Sequence, residues 1–234
     1  MKKAVFLYNF TPLALNDWLA DGWTCFSVDA QHPAGVSIDP LNPGLIRVGM
    51  FLERDEATIQ KLFAICGDDV QFVGGFPPCD DLANSGSRWF AKKLKADPLC
   101  QIRAAGRAML VEDVALRWDC PWFAENPVGR LSTLWRPANF YFEPWEYGGN
   151  LPLNDTHPLY PGYIKPRDAY PKKTGIWCGN GFAIPERKPV NVLAGYSAQY
   201  KKLGGKSAKT KEIRSATPRG FARAVKVFNA NRNV

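Results

Sequence analysis

Two short motifs in this chain place a thiol and a carboxylate where they could act together. A Pro-Pro-Cys tripeptide ending at Cys79 follows the apolar run 70–76, and a Glu-Asn-Pro tripeptide beginning at Glu125 follows residues 122–124. Each run predicts a short buried strand that ends in a proline-bearing loop, so both side chains are expected at the same edge of one sheet. A thiolate beside an acidic group suits addition to carbon 6 of a cytosine ring, because the acidic group keeps the ring nitrogen protonated while negative charge develops.

These motifs resemble the catalytic motifs of the DNA cytosine-5 methyltransferases, in the same order. The longer strings at residues 76–90 and 125–135 are similar to a compact, phage-encoded branch of that family. Three further segments extend the resemblance, namely Pro-Trp-Glu-Tyr-Gly at 144–148, Lys-Lys-Thr-Gly-Ile-Trp at 172–177, and residues 214–224. The resemblance covers most of residues 68–228, whereas the first 60 residues carry no specific match.

The resemblance implies a DNA-modifying transferase that flips a cytosine out of the duplex. Cys79 would attack carbon 6, Glu125 would bind the ring nitrogen and exocyclic amine, and a one-carbon unit would be transferred to carbon 5. The predicted further substrate contacts are Pro78, Asn126, Ser85, Arg88 and Lys173. From the residues alone, Cys79 could instead be a packed small hydrophobe, and Glu125 could be a turn carboxylate.

The apolar pattern predicts an α/β chain with a Rossmann-like methyltransferase fold, a mostly parallel sheet flanked by helices. Strands are expected at 3–8, 23–28, 45–52 and 70–75, and helices at 13–19, 55–66 and 98–114. Strand, helix, strand and acidic residue open a nucleotide-binding unit in which Asp29 would take the ribose hydroxyls, unless Asp29 only starts a turn. Phe10, Thr11 and Phe76 complete the predicted cofactor site.

The cofactor that the resemblance implies is S-adenosylmethionine. Family members place a Phe-x-Gly-x-Gly loop after the first strand, where glycine lets the backbone approach the methionine part of the cofactor. Residues 8–14 here read Tyr-Asn-Phe-Thr-Pro-Leu-Ala, without a glycine. Three alternatives follow: S-adenosylmethionine in an altered pose, a different donor such as methylenetetrahydrofolate for hydroxymethylation, or lost catalysis with retained DNA binding.

Length and charge favour one nucleic-acid-binding domain. The 234 residues are expected to form a single catalytic domain over 1–234, and the net charge of +8 suits a phosphate-rich partner such as DNA. Between residues 187 and 223, Glu212 is the only acid among many basic residues. We interpret 180–215 as a basic, reduced target-recognition segment, with a solvated lysine-rich loop as the alternative, and 216–230 as a closing helix.

Cysteine usage and hydropathy limit location and partners. The six cysteines include no Cys-x-x-Cys pair, so no metal site is predicted and reduced thiols in the cytoplasm of a bacterial host cell are expected. No apolar run approaches the roughly 18 residues needed to span a bilayer, so no membrane partner is predicted.

Overall fold

The structure is a computed structural model that describes residues 2–192 and 207–230. Its strands are β1 (Lys3–Leu7), β2 (Thr24–Val28), β3 (Gly35–Ile38), β4 (Leu45–Gly49), β5 (Val70–Gly75), β6 (Trp122–Pro127), β7 (Phe140–Phe142) and β8 (Thr174–Gly179). Its α-helices are α1 (Asn16–Ala20), α2 (Glu56–Cys66), α3 (Phe90–Ala96), α4 (Cys100–Arg117), α5 (Leu131–Leu134), α6 (Ala208–Ser215) and α7 (Arg219–Asn229). Short 3₁₀ helices occupy Pro12–Ala14, Asn84–Trp89, Pro144–Asn150 and Pro166–Asp168.

Across the described ranges the eight strands form one sheet in the order β3-β4-β2-β1-β5-β6-β8-β7. The pairs β1–β2, β2–β4, β1–β5 and β5–β6 are parallel, whereas β3 pairs antiparallel with β4 and β8 pairs antiparallel with β6. The predicted α/β fold with a mostly parallel sheet is therefore confirmed. The chain winds outward from β1 to β4 and then returns to β5, so the switch point lies between β1 and β5. Ligands of such sheets bind at the carboxyl ends of the strands near this point.

Alternate side chains of β1 supply the two faces of the sheet. Val5 and Leu7 belong to the main core with residues of α2 and α4, such as Leu62 and Val111. Phe6 points to the opposite face, where its ring contacts those of neighbouring aromatic residues: Trp18, Phe72, Phe76 and Phe123. Burial on both faces explains why β1 is apolar after Lys3 and β5 is apolar except at Gln71, since the buried residues pack against one layer or the other.

Several predicted boundaries differ from the observed ones. The helix expected at 13–19 is two short helices, Pro12–Ala14 and α1, and the Thr11 side chain makes no capping hydrogen bond. The long helix expected at 98–114 is α4, which ends at Arg117, and the closing helix expected at 216–230 is α7. Strands β3, β7 and β8 were not predicted. Part of the basic segment 180–215, with Lys201, Lys202 and Lys206, lies outside the described residues.

The chain divides into two compact units. The sheet unit contains Met1–Tyr141 and Thr174–Phe182, and the C-terminal unit contains Phe142–Lys173 and Ala183–Val234. In the C-terminal unit, Phe221 of α7 stacks on Phe142 with ring centroids 4.2 Å apart. Arg219 donates two hydrogen bonds of 2.7 Å to the Asp155 carboxylate. The single catalytic domain stays a prediction.

None of the helices within residues 2–192 and 207–230 combines the length and apolarity needed to cross a membrane.

Candidate active site

Strands β5 and β6 carry the two predicted catalytic residues to one edge of the sheet. The strands are parallel, with Gly75 opposite Ala124, so the loop with Cys79 leaves β5 on the side where Glu125 continues β6. Glu125 is also held by antiparallel pairing with Ile176 of β8. The structure therefore brings the Pro-Pro-Cys and Glu-Asn-Pro motifs together at the carboxyl edge.

A hydrogen bond joins the two motifs directly. The Nδ2 atom of Asn126 donates to the Pro77 carbonyl oxygen over 2.9 Å, and the Asn126 side chain is fully buried. The Oδ1 atom of Asn126 is buried as well and accepts no hydrogen bond from any described residue. A buried amide that spans two loops fixes their separation, because losing the bond would leave the Pro77 carbonyl without this donor.

The backbone after Cys79 is bonded to the segment after β6. The amides of Leu82 and Ala83 donate to the Cys79 carbonyl over 3.0 and 2.9 Å, which makes a tight turn. The Arg130 amide donates to the Leu82 carbonyl over 2.8 Å. Gly129 lies so close that a Cβ atom there would be 2.0 Å from the Leu82 oxygen, so this contact requires glycine. The loop of Cys79 is thus fixed along one side.

Side chains of α3 and α4 hold the other side of the same loop. Lys93 Nζ donates to the Asp80 carbonyl over 2.8 Å and to the Asp81 carboxylate over 2.6 Å. Gln101 Nε2 donates to the Asp81 carbonyl over 3.0 Å, and its side chain is buried. Sequence reasoning missed both residues, because lysine and glutamine at helix positions carry no signal of a contact with a distant loop.

Cys79 is less buried than most of the other cysteines. Four cysteines are buried, and burial raises the pKa of each thiol, to about 12 for Cys25, Cys66 and Cys120 and to about 11 for Cys178. Such thiols stay protonated and are poor nucleophiles. Cys79 and Cys100 are the two partly exposed cysteines, and only Cys79 follows a strand at the carboxyl edge.

The other predicted substrate contacts lie at separate places. Pro78 is exposed beside Cys79, and Ser85 and Arg88 are exposed on the 3₁₀ helix Asn84–Trp89 that follows the loop. The Arg88 guanidinium lies 5.3 Å from the Trp89 ring centroid, in a cation–π contact. Lys173 is exposed in the C-terminal unit, directly before β8 in the chain.

The turn after β1 is occupied by a buried polar network that we call the β1 network, formed by Asn9, Ser27 and His32. Ser27 Oγ donates to the Asn9 carbonyl over 2.6 Å and accepts from Asn9 Nδ2 over 2.9 Å. His32 Nε2 lies 3.2 Å from Ser27 Oγ and 3.3 Å from the Asn9 carbonyl oxygen. Burial lowers the pKa of His32, which favours the neutral ring. Sequence reasoning missed this network.

Asp29 and Phe10 of the predicted cofactor site lie next to this network in the structure or in the chain. Asp29 Oδ1 accepts from the backbone and side-chain nitrogens of Gln31 over 2.8 and 3.2 Å, so its carboxylate stabilises a turn. The Phe10 ring is 5.3 Å from the His32 ring, and Thr11 precedes the first 3₁₀ helix. The Phe76 ring packs against the rings of Phe6 and Phe123, and the Phe76 amide donates to the carbonyl of Leu7, the last residue of β1, over 3.0 Å.

The turn after β1 does not fit the methionine part of S-adenosylmethionine in the way that a glycine loop does. The Asn9 amide already donates to the Val28 carbonyl over 3.1 Å, and the Asn9 carbonyl is taken by Ser27. Tyr8 has a left-handed backbone, with φ of 55°, and its hydroxyl donates to the Leu52 carbonyl over 3.3 Å. A ligand could reach this backbone only by breaking bonds that the protein makes with itself.

No group of His, Cys, Asp and Glu side chains suited to a metal ion occurs in the described part of the chain.

Comparison with known proteins adds a distant structural likeness. No family model matches the chain, and no curated protein matches it. Among solved structures, the chain is similar to a crystal structure from E. coli described as a candidate DNA modification methyltransferase encoded within a prophage, at 12% identity and a TM-score of 0.41. The match covers 82% of this chain and 53% of that one, so the chain spans about half the length of its neighbour.

Proposed function

We propose that this protein modifies carbon 5 of cytosine in DNA, with Cys79 as the nucleophile and Glu125 as its acidic partner. The observation that carries the proposal is the hydrogen bond from Asn126 to Pro77, which holds the thiol-bearing loop against the strand of the carboxylate. The whole chain, 1–234, would act as one catalytic domain whose C-terminal unit contains a minimal target-recognition region.

The proposed reaction begins when the Cys79 thiolate forms a bond to carbon 6. The electron pair of the C5–C6 double bond moves into the ring, where Glu125 stabilises it by hydrogen bonding to the protonated ring nitrogen. Carbon 5 then forms a bond with the one-carbon unit, while the bond between that unit and the rest of the donor breaks and its electron pair leaves with the donor. Loss of the proton from carbon 5 restores the double bond and expels the Cys79 thiolate, so the enzyme is regenerated.

DNA is the proposed partner. A protein that acts on a base in DNA must gain access to that base and must neutralise the neighbouring phosphates. A base inside a duplex is accessible only after it is flipped out, at a cost of a few kcal/mol. Exposed basic side chains follow the Cys79 loop in the sheet unit, at Arg88, Lys92 and Lys95, and others lie on α6, at Lys209, Lys211 and Arg214. None of the six cysteines forms a disulfide, which fits a reducing compartment, and we propose that the reaction takes place in the cytoplasm of a bacterial host cell.

Two donors are compatible with this catalytic pair. S-adenosylmethionine would supply a methyl group, and it would have to bind in a pose that leaves the β1 network intact. Methylenetetrahydrofolate would supply a one-carbon unit for hydroxymethylation, and the closed turn after β1 is the observation that favours it. Calorimetric titration separates the two donors, since tight binding of S-adenosylmethionine would eliminate the folate alternative.

Mass spectrometry of nucleosides tests the function itself. DNA from bacterial cells that express the wild-type chain is compared with DNA from cells that express Cys79→Ser or Cys100→Ser, the latter being the matched, partly exposed thiol. We expect a cytosine of increased mass with the wild type and with Cys100→Ser but not with Cys79→Ser. The added mass identifies the transferred group, and equal modification by all three proteins would refute the role of Cys79.

A second candidate function is DNA binding without catalysis, which the closed turn after β1 also favours. An oligonucleotide that contains 5-fluorocytosine, incubated with each candidate donor, decides between the two, because after transfer carbon 5 has a fluorine in place of the proton whose loss would release the thiol. A covalent complex that forms with the wild type and not with Cys79→Ser excludes the binding-only function. A binding protein would shift the oligonucleotide in a gel and release it on denaturation.

A further inference from the structure

Two side chains donate hydrogen bonds to the backbone of the Cys79 loop, and neither bond is part of the pairing between strands. Lys93 donates to the carbonyl of Asp80, and Gln101 donates to the carbonyl of Asp81, the two residues that directly follow Cys79. The two donors come from different helices, α3 and α4, and both bonds lie within the sheet unit. The position of the thiol therefore depends on helices that follow it in the chain.

The chemistry of the two donors indicates that these bonds are specific. Gln101 is 5% exposed, and a buried amide lowers stability unless it is hydrogen-bonded, so packing alone would favour an apolar residue there. Lys93 also forms an ion pair with Asp81, two residues from the thiol. Its neighbours Lys92 and Lys95 are exposed on the same helix and make no ion pair with a described residue.

We propose that Lys93 and Gln101 are positioning residues that fix the backbone beyond Cys79, so that the thiol meets carbon 6 of the flipped base. The proposal rests on the function proposed above for Cys79. Neither residue touches the reacting atoms. They act by holding the backbone at Asp80 and Asp81, which limits how far the adjacent Cys79 backbone, and with it the thiol, can move.

Positioning affects the rate of attack and leaves affinity for DNA unchanged. Displacement of a reacting group by about 1 Å lowers a rate on the order of 100-fold. We therefore expect Lys93→Met and Gln101→Leu to slow covalent complex formation on 5-fluorocytosine DNA by about 10- to 100-fold at saturating DNA. The dissociation constant for DNA is expected to stay within about twofold, because neither residue is expected to bind a phosphate.

Lys95→Met is the matched control, since it removes the same charge from the same helix without touching the loop. If Lys93 acted only by attracting DNA, Lys93→Met and Lys95→Met would weaken binding equally and would react at the same rate once DNA is saturating. That result would overturn the proposal. Lys93→Arg, which keeps a donor and the charge, is expected to recover part of the lost rate, whereas a purely electrostatic role would give full recovery.

A measurement without DNA separates this proposal from the proposed function. Iodoacetamide labelling of Cys79 and Cys100, followed by peptide mass spectrometry, reports how the loop holds the thiol. We expect Lys93→Met to accelerate the labelling of Cys79 at least about threefold and to leave that of Cys100 unchanged, because the freed loop exposes its thiol. Unchanged labelling of Cys79 would refute the positioning role. Absence of a covalent complex with the wild type, together with altered labelling, would refute only the function proposed for Cys79.

Discussion

The carboxyl ends of β5 and β6 and those of β1 and β2 belong to one sheet edge, yet their loops are held in different ways. The loop of Cys79 is fixed from outside by Asn126, Lys93 and Gln101, and these bonds leave the thiol partly exposed. The turn after β1 uses its polar groups on itself, in the buried β1 network. The first loop presents a reactive group, whereas the second is closed.

The two loops also differ in whether they belong to the part of the chain that carries the sequence resemblance. The segments interpreted as resembling the cytosine-5 methyltransferases include Cys79 and Glu125, whereas the first 60 residues, which contain the turn after β1, carry no such resemblance. A glycine loop leaves its backbone groups open to a ligand, whereas Asn9 and Ser27 satisfy each other. We infer that the base-binding half of the site follows the family pattern and that the donor-binding half is built differently.

The prediction with the largest expected effect compares two carboxylates, Glu125 beside the Cys79 loop and Asp29 beside the turn after β1. Glu125→Gln is expected to lower the rate of cytosine modification about 10²- to 10³-fold, because an amide cannot keep the ring nitrogen protonated while negative charge develops in the ring. Asp29→Asn is expected to lower it less than about fivefold, because the Asn side chain keeps the acceptor that the Gln31 turn uses. Both rates are measured on the same oligonucleotide at saturating donor. Equal losses would mean that Asp29 contacts the donor and that the comparison is wrong.

The second prediction breaks the support of the catalytic loop. Gly129→Ala places a methyl group 2.0 Å from the Leu82 carbonyl oxygen, so the loop must move. We expect a loss of about 1–3 kcal/mol in the free energy of unfolding, measured in urea, together with slower covalent complex formation. Gly86→Ala is the control, because its new methyl group would lie 3.6 Å from the nearest neighbour, the Asp80 carbonyl oxygen. Equal stability of the two variants would show that the Gly129 contact is not required.

The sequence predicted the strands better than the contacts between loops. The bounds of β5 agree with the prediction at both ends, because the apolar run stops where the Pro-Pro-Cys motif begins. Strands β3 and β8 were missed because each is defined by antiparallel pairing, with β4 and β6, rather than by its own pattern. Likewise, a Gln at the start of α4 gives no indication that it bonds to the Asp81 carbonyl, since that contact exists only after the fold forms.

The third prediction opens the turn after β1 and leaves the catalytic loop unchanged. Ser27→Ala removes a hydroxyl that bonds to Asn9 and lies beside His32, so buried polar groups lose their partner. We expect a loss of about 1–2 kcal/mol in the free energy of unfolding and no change in the labelling rate of Cys79. Ser37→Ala, on the exposed strand β3, is the control and should be neutral. A change at Cys79 would show that the two halves of the edge are coupled.

The smallest expected effect is the pH dependence of the β1 network. Burial lowers the pKa of His32 below its usual value near 6.5, so the unfolded chain binds the proton more readily than the folded one. The free energy of unfolding therefore loses nothing to His32 well above pH 6.5. It decreases as the pH falls below about 6.5, where the unfolded chain binds the proton, and it goes on decreasing until the pH reaches the folded pKa. We expect the melting temperature of the wild type to decrease between pH 7 and pH 5 by a few °C more than that of His32→Gln.

The chain's other histidine, His157, also makes stability depend on pH, so its contribution must be separated from that of His32. Burial lowers the pKa of His157 to about 4. His157 therefore also makes the protein less stable in acid, in the wild type and in His32→Gln alike. His157→Asn should remove that contribution, because Asn Oδ1 can replace Nδ1 as acceptor for the amides of Leu159 and Tyr160 without binding a proton. In a His157→Asn background, the difference that remains when His32→Gln is added belongs to the β1 network alone. If it vanishes, the His32 pKa is the same in the folded and unfolded chains, and the conclusion that the β1 network closes this turn to solvent is wrong.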